Sequence, residues 1–266
     1  MNPVEQLYDS DPQREWERLD RHRTEFAVTW RALQAYLPLP PTAVADIGGG
    51  PGRYAIALAQ AGYRVTLLDL SRGNLALAQK KAQAAGVTLA GALHGNALQL
   101  PLPPISFDAA LLFGPLYHLL DLAERETAVA QTHTILKPVG LIFAAFITRF
   151  APFRDMAAKG YGDWIINHAE RAAMILQTGQ NPALPGNSFP NSYFAHPDEV
   201  RPLLESQGFE TLAVIGCEGV VAGHEQHING LQGELWEEWV SLNYRLGQDP
   251  ALHGAADHLL YVGRKA

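Results

Sequence analysis

The chain is predicted to fold as a doubly wound α/β domain, a mostly parallel sheet with helices on both faces. Three observations lead there. Residues 44–69 read as strand, glycine turn, helix and strand, half of a nucleotide-binding fold. Residues 139–148 are nearly all apolar, as a strand buried on both faces must be. Between and around these segments, short apolar runs alternate with stretches of helical periodicity.

Taken in order, residues 12–37 are predicted as one long amphipathic helix. Trp16, Leu19, Phe26, Trp30, Leu33 and Leu37 form its apolar stripe, and Pro38, Pro40 and Pro41 stop it. Arg14, Glu17, Arg18, Arg21 and Glu25 lie on the other face, which reads as solvated. Val44, Ala45 and Ile47 make a short buried strand that ends in an acid and a run of glycines. A helix from Arg53 to Gly62 follows, with Ile56, Leu58, Ala59 and Ala61 on one face, then a strand from Arg64 to Leu68 closed by Asp69. Ser71 is a plausible N-cap for a helix running towards Gly86. A third strand is expected over Val87–Leu93, a fourth over Phe107–Phe113, a helix over Asp121–Leu136 and a fifth strand over Val139–Thr148. Phe209–Ile215 and His258–Lys265 are the remaining strand candidates.

Composition bounds the function. With 266 residues, 47% hydrophobic and 18% charged, the chain is an ordinary globular protein with ample length for a core. A net charge of −7 leaves no basic footprint for nucleic acid, which is not expected as a partner. The one cysteine, Cys217, excludes an intrachain disulfide and a multi-cysteine zinc site. No signal peptide and no apolar run of membrane-spanning length is visible, so a cytoplasmic protein without a membrane partner is expected. His224, Glu225 and His227 lack a clear further ligand, and no metal is expected.

The turn after the first strand decides which nucleotide-like ligand is expected. Gly48, Gly50 and Gly52 alternate, so the backbone turns sharply and approaches a ligand where side chains would clash. A dinucleotide fingerprint needs Gly or Ala where Arg53 stands, and Asp46 would repel a pyrophosphate. Both features disfavour a nicotinamide oxidoreductase. Asp46 suits a ligand carrying an ammonium and a sulfonium. Asp69, 17 residues after Gly52 at the end of the next strand, is placed to accept both hydroxyls of a ribose.

Together these residues resemble the class I S-adenosylmethionine-dependent methyltransferases, whose first motif is acid-x-Gly-x-Gly-x-Gly. Gly95-Asn96-Ala97 is similar to the family's Gly-Asp-Ala segment, whose middle residue accepts from the adenine amino group; the Asn96 amide oxygen can still do so. Leu136-Lys137-Pro138-Val139-Gly140 resembles the family's Leu-Lys-Pro-Gly-Gly turn. The resemblance implies a seven-stranded sheet with an antiparallel last strand. It implies S-adenosyl-L-methionine as cofactor, held by Asp46, Gly48, Gly49, Gly50, Gly52, Asp69, Leu70, Asn96, Ala97 and Phe113. It also implies transfer of a methyl group to an O or N atom of a small-molecule acceptor. The other class of function weighed is a regulatory or scaffold protein that binds the cofactor without turnover.

Within one domain of residues 1–266, residues 1–42 are then a helical lid and 43–148 the cofactor-binding core. Residues 149–195 are an insertion expected to cap the substrate pocket, its loop spanning 181–187, and 196–266 complete the sheet. An amino-methylating subclass carries Asn/Asp-Pro-Pro-Tyr after the fourth strand. Here Gly114-Pro115-Leu116-Tyr117 departs from it, leaving Tyr117 and His118 as the polar groups facing the methyl. His118 reads either as the base that takes the acceptor's proton or as a cap on the following helix. Tyr8, Tyr193 and His196 are further substrate-contact candidates, although His196-Pro197-Asp198-Glu199 also reads as a helix start.

Overall fold

A computed structural model describes residues 3–183 and 191–266. Residues 184–187 of the expected 181–187 loop lie outside them. Three helices lead in: α1 (Pro3–Ser10), α2 (Pro12–Arg21) and α3 (Arg23–Tyr36). The single helix expected over 12–37 is therefore two, separated at His22, whose φ is −114° and ψ 57°. The break has a physical reason. In a continuous helix, residues seven apart stand roughly 10 Å apart along the axis. Bent at His22, the chain brings the Arg18 guanidinium onto both oxygens of Glu25, at 2.7 and 3.1 Å. Glu25 is thereby buried, contrary to the solvated face expected for it.

The core then runs β1 (Ala43–Ile47), α4 (Arg53–Gln60), β2 (Arg64–Asp69), α5 (Arg72–Ala84), β3 (Gly91–His94), β4 (Phe107–Leu112), α6 (Leu122–Ile135) and β5 (Leu136–Ile147). The third strand starts later than expected, because pairing with β2 begins only where Gly91 comes opposite Thr66. After β5 come α7 (Ala151–Ala158), α8 (Trp164–Asn167), α9 (Ala169–Thr178), and a two-stranded ribbon of β6 (Gln180–Asn181) and β7 (Ser192–Tyr193). The chain continues through α10 (Pro197–Glu205), β8 (Phe209–Gly216), α11 (Glu225–Asn229), α12 (Gly233–Leu246) and β9 (His258–Lys265).

Seven strands form one sheet in the order β3-β2-β1-β4-β5-β9-β8. All are parallel except β9, which runs antiparallel to both β5 and β8. Alternate strand residues feed two cores. Ala45, Ile47, Leu112 and Ala144 pack on one side, and Val44, Leu67, Leu111 and Phe143 on the other, with α3 residues Val28, Ala32 and Leu33. Chain order reverses between β1 and β4, so a crevice opens at their C-terminal ends. No helix among the described residues is long and apolar enough to cross a membrane.

Candidate functional site

That crevice is a cavity of about 420 Å³, within the ~300–1,000 Å³ range of small-molecule sites. Its floor is the turn after β1 and the ends of β2 and β4; its roof is α1 and α2, through Val4, Tyr8, Glu15, Arg18 and Leu19.

The turn takes its shape from left-handed glycines, with φ of 68° at Gly48, 57° at Gly50 and 83° at Gly52. A Cβ on Gly48 would strike Pro115 Cδ at 2.6 Å, and one on Gly49 would collide with the Asp46 carboxylate. At Gly50 the nearest atom to such a Cβ is 3.7 Å away, so the space there is left for something other than protein. Gly52 does not line the cavity. It begins α4, and a Cβ on it would sit 3.2 Å from Ala78 Cβ on α5, so its role is helix packing.

Asp46 and Asp69 differ in their surroundings. Asp69 is held by three donors: Gly50 N–H at 2.7 Å, Ser71 N–H at 2.8 Å and the Asn74 amide at 3.3 Å. A carboxylate offers about four lone-pair sites, so about one remains for a ribose hydroxyl. The expectation that it serves both hydroxyls is narrowed accordingly. Asp46 is fully buried with neither oxygen in a well-formed hydrogen bond. Burial first, and the nearby Asp69 second, push its pKa up to about 7, with only the Ala55 backbone N–H opposing them. Such a group is costly unless a cationic donor arrives.

Leu70, Asn96, Ala97 and Phe113, read from the sequence as cofactor-binding, also line the cavity. The Asn96 amide oxygen already accepts from Leu98 N–H at 2.9 Å, which leaves it one further lone pair. Tyr117, His118 and Tyr8 line it too. The Tyr8 hydroxyl lies 2.8 Å from His118 Nε2, and His118 Nδ1 lies 3.0 Å from the Asn191 carbonyl oxygen. Burial lowers the His118 pKa, and the Asn191 bond partly opposes that.

Tyr193 and His196 are not brought to the cavity. Tyr193 lies under the Arg125 guanidinium, 3.4 Å from its ring centre, and donates its hydroxyl to Glu199. His196 caps α10, its Nδ1 accepting from Asp198 N–H at 3.3 Å while Glu199 reaches back to its own N–H. Both side chains are spent on the start of α10. The insertion contributes only Asn191 to the cavity lining among the described residues. Its α7 is tied elsewhere, Arg154 bonding Asp257 and the Ala256 carbonyl ahead of β9.

Sequence reasoning missed Glu15, Arg18 and Asn191. Arg18 bonds Glu15 at 3.2 Å besides its fork on Glu25, so its charge is compensated within the roof. Arg53 pairs with Asp20 at 2.8 Å. The cavity's uncompensated charges are therefore its acids, and it favours a cationic guest. Behind the roof, Glu25, Glu218 and His258 hold ligand-type atoms within 4.8 Å of one another, a different grouping from His224, Glu225 and His227. Here His258 Nδ1 bonds Glu218 at 2.5 Å. Burial works against the imidazolium, but the Glu25 and Glu218 carboxylates raise its pKa to about 9.

Residues 44–140 match the family model described as a methyltransferase domain. A ubiquinone biosynthesis O-methyltransferase of Methylocella silvestris is 31% identical over 179 residues, covering 64% of this chain and 62% of the relative. A demethylmenaquinone methyltransferase of Geobacillus kaustophilus is 35% identical over 100 residues, covering 36% of this chain and 41% of the relative. The chain thus spans less than two thirds of the length of these relatives. In fold it is similar to a methyltransferase from Methanosarcina mazei, with a TM-score of 0.61 at 18% identity, covering 88% of this chain and 96% of the other. It is equally similar to a possible histamine N-methyltransferase from Thermotoga maritima, at 0.61 and 19%, covering 98% and 99%. Residues 44–140 thus carry a methyltransferase domain, on a fold shared with S-adenosylmethionine-dependent methyltransferases, and the cofactor this likeness implies is S-adenosyl-L-methionine. The glycine cradle and the poorly hydrogen-bonded Asp46 fit that group.

Proposed function

We propose that this methyltransferase domain moves the methyl group of S-adenosyl-L-methionine to an O or N atom of a small molecule. The observation that carries the reading is Asp46, a fully buried acid with no well-formed hydrogen bond and only the Ala55 N–H near it, beside a cavity floored by left-handed glycines. The relatives' names support a small acceptor, since they refer to quinone biosynthesis.

When bound, the cofactor supplies a methyl already activated on cationic sulfur. Asp46 would receive its ammonium, Asp69 a ribose hydroxyl and Asn96 the adenine amino group. What the chain adds is orientation. Holding the acceptor in line with the methyl at about 3–3.5 Å can contribute several kcal/mol without any bond-making by the protein. Tyr8, Tyr117 and His118 are the polar groups on the acceptor side, and His118 is where the acceptor's proton would end. Residues 3–21 act as the lid. Asp9 fastens it to the ribose end of the site by accepting from Ser71 Oγ at 2.6 Å and Gly73 N–H at 2.9 Å.

Titration calorimetry with S-adenosylmethionine and S-adenosylhomocysteine, followed by detection of S-adenosylhomocysteine release with phenols and amines, tests this. Binding with turnover of one acceptor class is the expected result. Binding without turnover of any would instead favour a cofactor-holding regulatory protein, and no binding would remove both readings.

A further inference from the structure

We propose that Tyr8 is the residue that meets the acceptor, that the acceptor is a hydroxyl, and that its proton reaches His118 only through the Tyr8 oxygen. This rests on the methyl-transfer reading and deepens it.

A backbone C=O only accepts, so His118 Nδ1, 3.0 Å from the Asn191 oxygen, carries a proton. In the neutral ring the lone pair is then on Nε2. Nε2 is 2.8 Å from the Tyr8 hydroxyl, which therefore donates to it. The basic nitrogen is thus covered, and an acceptor in the cavity meets the Tyr8 oxygen instead. Tyr8 comes from the lid and His118 from the segment after β4, and both line the same cavity. Their rings meet edge to face at 5.5 Å.

The step balances. As the acceptor oxygen forms its bond to the methyl carbon, the carbon–sulfur bond breaks and its electron pair stays on sulfur. The acceptor's proton passes to the Tyr8 oxygen while the Tyr8 proton passes to His118 Nε2. One positive charge leaves sulfur and one appears on imidazole, so the cavity's net charge is unchanged. That matters in a buried site, where creating a new ion is costly. An amine has no need of the relay, because it attacks through a lone pair and sheds its proton afterwards. A hydroxyl gains from losing its proton during attack, and the aromatic lining supplied by Tyr8, Tyr117 and Phe113 suits a phenol. The titratable and charged groups around Tyr8 are Tyr117, Glu15, Arg18 and Asp69, besides His118.

The test compares the parent with Tyr8→Phe, His118→Gln and the double variant, using catechol as acceptor and benzylamine as control. Cofactor affinity and thermal midpoint are measured for each, and the His118 ring nitrogens are followed by NMR without ligand. The parent should methylate catechol and show neutral His118 protonated on Nδ1. Tyr8→Phe should lose about 10²-fold in kcat, the scale of general acid–base effects. It should keep its cofactor affinity, and its His118 should titrate at higher pH because a bond favouring the neutral ring is gone. The double variant should be no slower than either single one, since the two act as a unit. Parental turnover within about threefold in Tyr8→Phe, or a His118 protonated on Nε2, would overturn the relay. So would a parent that binds cofactor but methylates benzylamine and not catechol, an outcome that leaves the methyltransferase reading intact. Failure to bind cofactor at all would bring down that reading and the relay together.

Discussion

Asp46 and Glu218 are both completely shielded carboxylates, yet they stand in opposite circumstances. Glu218 accepts from the Asp257 N–H at 3.1 Å and the His258 N–H at 2.8 Å, and its other oxygen meets the His258 ring. Asp46 has no well-formed hydrogen bond, only the Ala55 backbone N–H near it. A buried acid whose lone pairs are filled from within its own chain is a strut. One whose lone pairs are left largely unfilled, at the edge of a cavity, is placed to take a ligand. The difference separates architecture from function more sharply than burial or charge alone, since both residues score alike on those.

The largest expected effect breaks the strut. Glu218→Ala leaves the His258 imidazolium deep in the protein with part of its counter-charge gone, at a cost of about 3–5 kcal/mol. Denaturant unfolding should show that loss, while cofactor affinity measured on the folded fraction stays near the parent's. An equal loss in affinity would mean the two regions are not separable.

Next comes the opposite substitution. Asp46→Asn should weaken cofactor binding by about 1.5–3 kcal/mol, the worth of a charge-assisted hydrogen bond, and should raise the thermal midpoint of the free protein. The sign follows from its pKa of about 7, above the ordinary carboxylate value. The free protein loses stability as pH rises from the unfolded value towards 7, because the unfolded carboxyl is then ionised and folding must return a proton to it. Cofactor affinity should rise through the same window in the parent and be flat there in the variant, as calorimetry at several pH values would show. His258 moves stability in the same direction but in a later window. Its pKa of about 9 lies above the unfolded value, so its stabilisation is complete below the unfolded pKa and is lost as pH rises through 9.

The smallest effect concerns the lid over both. Asp9→Asn removes the charged acceptor for Ser71 and Gly73 at the surface. Replacing an exposed cap changes little in the closed state, so cofactor release in stopped flow should quicken by only about two- to fivefold.

The sheet and the floor of the site were legible because they depend on local signals. Short apolar strands, the glycines at 48, 50 and 52, and the acids at both strand ends sit within one short stretch. The roof was not legible. Arg18 and Glu25 look like any charged helix face until the chain bends at His22, and that bend is stabilised by the pairing it permits. Asn191 enters through a backbone carbonyl, which no side-chain pattern records. Tyr193 misled because an aromatic near the site in sequence is spent on Arg125 and Glu199. His118 does line the cavity, but that Tyr8 covers its basic nitrogen depends on two segments 110 residues apart.

Strand β9 has a bearing on how the molecule is made. It is the last strand in the chain, yet it lies between β5 and β8, pairing with both. During synthesis the strands that floor the cavity emerge first and already neighbour one another. Strand β8 emerges with nothing to pair with, its apolar face open, until the segment after Gly216 has been added and β9 follows. At ribosomal rates of about 5–20 residues per second, that wait lasts roughly 2–8 s. Through it Phe209, Val214 and Ile215, all buried in the finished fold, are exposed to whatever else is in the vicinity. The same late strand carries His258, so the ionic strut behind the lid cannot form until the sheet is closed. A nascent chain halted before β9 would be a target for chaperones and proteases even though its glycine turn was complete.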